Sequence, residues 1–67
     1  MKHLEEIKKF QEKIKAKDND DEAQHSLEDE MHMYFIDNCW DMEPLEIIDC
    51  RNVIFEVREM GFARWCA

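Results

Sequence analysis

The sequence predicts an all-α domain of three helices, on three observations. Apolar residues recur at helical spacing in each of three segments. The chain holds one glycine and one proline, so little interrupts those segments. Start and stop signals fall between them, at DNDD and at the end of the third segment. A chain of 67 residues has room for one domain, here residues 1–67. A core of that size is marginal alone, which makes a second subunit a natural supplement. The composition is still that of a folding chain, 45% hydrophobic with seven aromatic rings, unlike a disordered tail poor in such residues.

The first element spans residues 2–17. Leu4, Ile7, Phe10 and Ile14 share one helical face and strong helix formers occupy the rest. Lysines near its C-terminal end suit the helix dipole. DNDD follows, whose short polar side chains favour turns and N-caps over helix interiors. A second helix is expected to start between Asp18 and Asp21 and to run to about Cys39, with Ser26 and Asp29 as a weaker internal start signal. Ala23, Leu27, Met31, Tyr34 and Phe35 form its stripe. Ile36, Cys39 and Trp40 widen that stripe, predicting burial on more than one face toward its end.

The third segment admits two readings. As a helix it has Asp41 as N-cap, Pro44 in the first turn, where a missing N–H costs nothing, Ile47, Cys50, Ile54 and Val57 on one face, and Gly61 beyond Arg58 as the stop. As strands it forms a C-terminal β-meander, LEIID, VIFEVR and FARWCA, which the β-branched content favours and which would make the fold α+β. The paired start and stop signals decide for the helix.

Charge is sorted along the chain. Residues 1–17 carry a net +3, from six lysines against three glutamates, and residues 18–67 carry −11, for a total of −8 and a pI near 4.7. The asymmetry suggests the N-terminal helix lying against the acidic remainder, in its own or a neighbouring subunit. A field of this sign repels nucleic-acid backbones and anionic membranes, so neither direct nucleic-acid binding nor membrane association is expected. No apolar run approaches the ~20 residues of a membrane helix. Glu5 and Glu6 stand where a secretory signal would be apolar. Cys39, Cys50 and Cys66 are odd in number and unclustered, which fits free thiols in a reducing cytoplasm.

The densest charge is DNDDEAQHSLEDE, residues 18–30, with seven carboxylates: Asp18, Asp20, Asp21, Glu22, Glu28, Asp29 and Glu30. Read as a calcium loop it places Asp18, Asp20, Glu22, Ser26 and Asp29 at ligand positions. However, Ala23 stands where the turn needs glycine, His25 where an apolar residue belongs, and Asp29 where a bidentate glutamate closes the site. His25, Asp29 and His32 share a helical face, but no Cys-x-x-C pair completes a closed zinc site. No metal or other cofactor is expected. There is no phosphate loop, nucleophile elbow or triad around Ser26, and nothing activates Cys39 beside His32, so catalysis is not expected either.

The seven carboxylates are therefore read as the partner-binding surface of a small non-enzymatic interaction protein. Its complement is a basic protein surface, such as a nuclease, polymerase or other nucleic-acid-handling protein, approached by imitating the phosphate backbone in the manner of a phage antagonist. The alternatives are a dimeric adaptor that binds through apolar C-terminal surface and a metal-binding helix pair. Methionine and aromatic residues crowd from Met31 to Trp65, which predicts a homodimer, with the tail FARWCA either closing the helical core or forming the dimer seam.

Overall fold

The structure is a computed structural model that describes residues 1–60. Among these residues it is all-α: α1 (Lys2–Ala16), α2 (Asp21–Asn38), a 3₁₀ turn (Cys39–Asp41) and α3 (Pro44–Arg58). The strand alternative fails for LEIID and VIFEVR, which lie inside α3; FARWCA lies outside the described residues. Pro44 takes the first turn of α3, as the sequence predicts. Asp41 is not its N-cap. Glu43 holds that position without a side-chain bond, and Asp41 closes the 3₁₀ turn with its carboxylate directed elsewhere.

The α1–α2 turn is built from DNDD. The Asp20 N–H donates to the Lys17 carbonyl at 2.9 Å, and Asn19 takes a left-handed φ of 72°, which a short amide side chain tolerates best after glycine. Asp20 then caps α2, its Oδ1 accepting from the Ala23 N–H at 3.1 Å. At the other end of α2, side chains of its last residue and of the two that follow satisfy late carbonyls. Asn38 donates to the Tyr34 oxygen, Cys39 to that of Ile36 and Trp40 to that of Asp37. Ser26 and Asp29 sit inside the helix and start nothing.

Helix α1 is the spine. It packs against both α2 and α3, whereas α2 and α3 meet each other over a much smaller area. Cross-links give the directions. His3 reaches Tyr34 and Glu46, Gln24 donates to the Ile14 carbonyl at 3.0 Å, and Gln11 donates to Glu56 at 3.2 Å. Thus α1 runs antiparallel to α2 and parallel to α3. The core is Ile7, Ile14, Met31, Met42, Cys50, Val53 and Val57, with Leu4, Phe10, Leu27, Tyr34 and Phe35 packed around it.

Two faces differ from the expected ones. On α3 the buried stripe is Glu46, Cys50, Val53 and Val57, so Ile47 and Ile54 are turned to its edge and only partly covered. On α2, Gln24, Glu28 and Met31 point inward, while Ile36 is 62% exposed and Trp40, in the 3₁₀ turn that follows, 81%. The second burying face predicted for the end of α2 does not form, because α3 leans on α1 instead. The lysines remain exposed. Their ion pairs among the described residues, Lys9–Glu6 and Lys15–Glu12, are internal to α1, which meets α2 and α3 through its apolar side. No described helix is long and apolar enough to cross a membrane.

Candidate functional site

Three places carry polar or unsatisfied surface. The first is the acidic segment. Asp18, Asp20, Asp21, Glu22, Asp29 and Glu30 are exposed, and none pairs with a lysine or arginine among the described residues. Asp29 lies 3.5 Å from His25 Nε2, one turn away. Glu28 is the correction. It is only 3% exposed and belongs to the inward face of α2, so it cannot contribute to a surface contact. The helical period explains this, since Gln24, Glu28, Met31 and Phe35 recur at i, i+4, i+7 and i+11. Asp20 has a structural task as cap, and Asp21 and Glu22 favourably face the positive end of α2.

No group of three or more histidine, cysteine or acidic side chains is arranged to hold a metal among the described residues. In particular His32 lies in the wall of a groove described below, apart from the His25–Asp29 pair. Cys39 and Cys50 are free thiols. Burial pushes the Cys50 thiol up, with the carboxylates of Glu46 and Asp49 adding to the shift, so it stays protonated and inert at neutral pH.

The second place is a polar cluster that the sequence reading missed. The Glu46 carboxylate, buried in the first turn of α3, accepts from the backbone N–H groups of His3 at 3.0 Å and Leu4 at 3.1 Å. These are orphan donors of the first turn of α1, whose own N-cap, Met1, offers no side-chain bond. Glu46 thus caps α1 from another helix and sets a negative charge against its positive end. His3 is 5% exposed. Its Nε2 meets Asp41 Oδ2 at 2.9 Å and its Nδ1 meets the Tyr34 hydroxyl at 2.8 Å. A carboxylate only accepts, so Nε2 carries a proton, and in the neutral ring Nδ1 accepts from Tyr34.

The connectivity Asp41–His3–Tyr34 resembles an oriented base, but its terminal hydroxyl is a phenol that is hard to ionise. Burial raises the Tyr34 pKa above its ordinary 10.0, with Glu6, Cys50, Glu46 and Asp41 adding to the shift. The chemistry is that of a tether joining the start of α1 to the end of α2 and the start of α3. The signal for it was present in the pattern. Glu46 falls on the same stripe as Cys50, Val53 and Val57, and a carboxylate there needs buried donors.

This yields a spectroscopic expectation. Tyr34 is the sole tyrosine, so phenolate absorbance at alkaline pH reads it alone. Its folded-state pKa is raised, so its contribution to stability is complete below pH 10.0 and is lost as pH climbs through the folded value. Cys50 adds a similar loss beginning above its ordinary 9.0. The melting temperature should fall from about pH 9 upward, and the phenolate midpoint should lie above 10.0. A midpoint at or below that value in folded protein contradicts this partly buried placement.

The third place is an apolar groove of about 790 Å³ between α2 and α3, lined by residues of those two helices. Helix α2 contributes His32, Phe35 and Ile36. Helix α3 contributes Ile47, Ile54 and Phe55, with Arg51 and Arg58 on the same side. Arg51 stacks over the Phe55 ring, 4.3 Å from its centroid, and neither arginine makes an ion pair with a described residue. The groove is the consequence of α2 and α3 both leaning on α1. No protein-family model, no curated protein and no solved structure matches this chain.

Proposed function

We propose that this chain is a non-enzymatic interaction protein that presents its acidic edge to a basic surface on a nucleic-acid-handling protein. The supporting observation is the exposure of Asp18, Asp20, Asp21, Glu22, Asp29 and Glu30 without a lysine or arginine neutralising them among the described residues. From Asp21 to Glu30 the helix rises about 13.5 Å. The four exposed carboxylates on that rise, Asp21, Glu22, Asp29 and Glu30, are separated by three intervals averaging about 4.5 Å, sparser than the roughly 3.4 Å of a single DNA strand. A helix that holds carboxylates in fixed positions competes with phosphates for a basic groove, and its field speeds encounter with a cationic partner. The partner is a protein, and the site of action is the reducing cytoplasm in which Cys39 and Cys50 remain thiols.

A second reading rests on the groove between α2 and α3. An adaptor that docks through it would bind chiefly by apolar contact and be less sensitive to salt than one held by the acidic edge.

The test uses immobilised full-length protein and a lysate of its source cell. Captured proteins are eluted with duplex DNA or with salt near 0.5 M, where the Debye length is roughly 4 Å. The comparison is the variant Asp18→Asn/Asp21→Asn/Glu22→Gln/Asp29→Asn, which spares the Asp20 cap. The expected result is a basic partner released by both eluents and lost by the variant, each charge contributing about 0.2–1 kcal/mol. A partner that survives salt and binds the folded variant equally well overturns the acidic-edge reading in favour of the groove.

A further inference from the structure

The groove between α2 and α3 plays no part in the proposed function. Its residues Ile36 and Phe55 are 62% and 44% exposed, and Met33 and Ile48 continue the apolar surface beside it. Contiguous exposed apolar surface on so small a chain marks an interface. Charge identifies what fits. Arg51 and Arg58 stand seven residues apart on the groove side of α3, two turns or about 10.5 Å. They are exposed and without a carboxylate partner among the described residues, in a chain whose net charge is −8. The occupant must therefore bring apolar side chains flanked by acids at a two-turn spacing.

The outward strip of α2 has that composition. Glu30 and Asp37 are also seven residues apart and exposed, with Met33 and Ile36 exposed between them. We propose that the groove is filled by α2 of a second copy of this chain, forming a two-fold dimer in which Glu30 and Asp37 of each protomer face Arg51 and Arg58 of the other. The orientation is consistent. Since α2 and α3 are antiparallel within the chain, an α2 helix that packs antiparallel on its two-fold mate runs parallel to the mate's α3. The two seven-residue spacings then match in register. A two-fold contact is self-complementary, and one strip supplies acids while the other supplies arginines. The chain's own C-terminal residues, GFARWCA, are a poorer occupant by composition, because they bring Arg64 and no acidic side chain toward two arginines. This dimer takes Glu30 from the acidic edge, but the acidic-edge variant Asp18→Asn/Asp21→Asn/Glu22→Gln/Asp29→Asn leaves both Glu30 and Asp37 in place, so the two tests fail separately.

Sedimentation equilibrium of the full-length protein tests it, with circular dichroism confirming that each variant is folded. Wild type is expected at twice the 8.2 kDa chain mass in the micromolar range. The charge-reversed variants R51E/R58E and E30R/D37R set like charges against each other in their own dimers. Each should associate at least about tenfold more weakly. Mixed in equal amounts they should form a heterodimer of near wild-type affinity, because every facing pair is again opposite in sign. A wild-type monomer at high micromolar concentration overturns the proposal and leaves the groove to the tail or a foreign partner. A dimer indifferent to both reversals, or a mixture that does not recover, overturns this geometry.

Discussion

Replacing Glu46 by alanine is expected to destabilise the fold by about 1.5–3 kcal/mol, the range for a hydrogen bond to a charged group. That carboxylate is the sole side-chain cap for the first turn of α1 among the described residues, and it accepts from both His3 and Leu4. Removing it leaves the His3 N–H buried without an acceptor and withdraws negative charge from a helix N-terminus. Water can reach Leu4, which is partly exposed, so the second bond is lost at lower cost. Glu46→Gln keeps an acceptor oxygen and loses the charge, so it should fall between wild type and alanine. Urea unfolding reads the effect as a lower midpoint at unchanged slope. Glu56→Ala, which removes an exposed bond to Gln11, is the control and should be near neutral. Equal loss from Glu46→Ala and Glu56→Ala would show that α1 is not anchored through its N-terminus.

The larger loss is expected from Ile7→Ala. Ile7 is fully buried on the α1 face that joins the other helices in one core. Truncating a buried isoleucine costs about 2–5 kcal/mol, in transfer free energy plus the cavity left behind. A domain of this length has about 3–10 kcal/mol of total stability at ordinary values per residue. The variant should therefore be largely unfolded near 37 °C and lose its helical circular dichroism. Val53→Ala removes a smaller side chain from the same core and should be milder. Ile36→Ala removes a larger exposed side chain and should leave the monomer fold intact. Should Ile36→Ala prove as damaging to the fold as Ile7→Ala, the groove would be part of the core rather than free surface.

The local part of this architecture was legible in the amino-acid order. Leu4, Ile7, Phe10 and Ile14 mark the buried side of α1 because a helix of 3.6 residues per turn stacks them on one face. DNDD marks the turn because aspartate and asparagine side chains compete for backbone hydrogen bonds, and Asp20 caps α2 for the same reason. Pro44 marks the start of α3 because a first-turn residue needs no N–H. Exposure of six of the seven acidic residues also followed from their charge. What periodicity leaves open is how each stripe is turned and which helices share a core. Tertiary packing decided those. With α1 as spine, the α3 stripe rotates to Glu46, Cys50, Val53 and Val57, and Ile36 and Trp40 are left in solvent. It also buried Glu28, and it gave Glu46 a place at the start of α1 and Asp41 a place beside His3, 38 residues away in sequence. A carboxylate reads as surface in any local window because its charge is costly to bury. Only donors brought from a distant helix reverse that balance, and sequence spacing does not encode where a distant helix will lie.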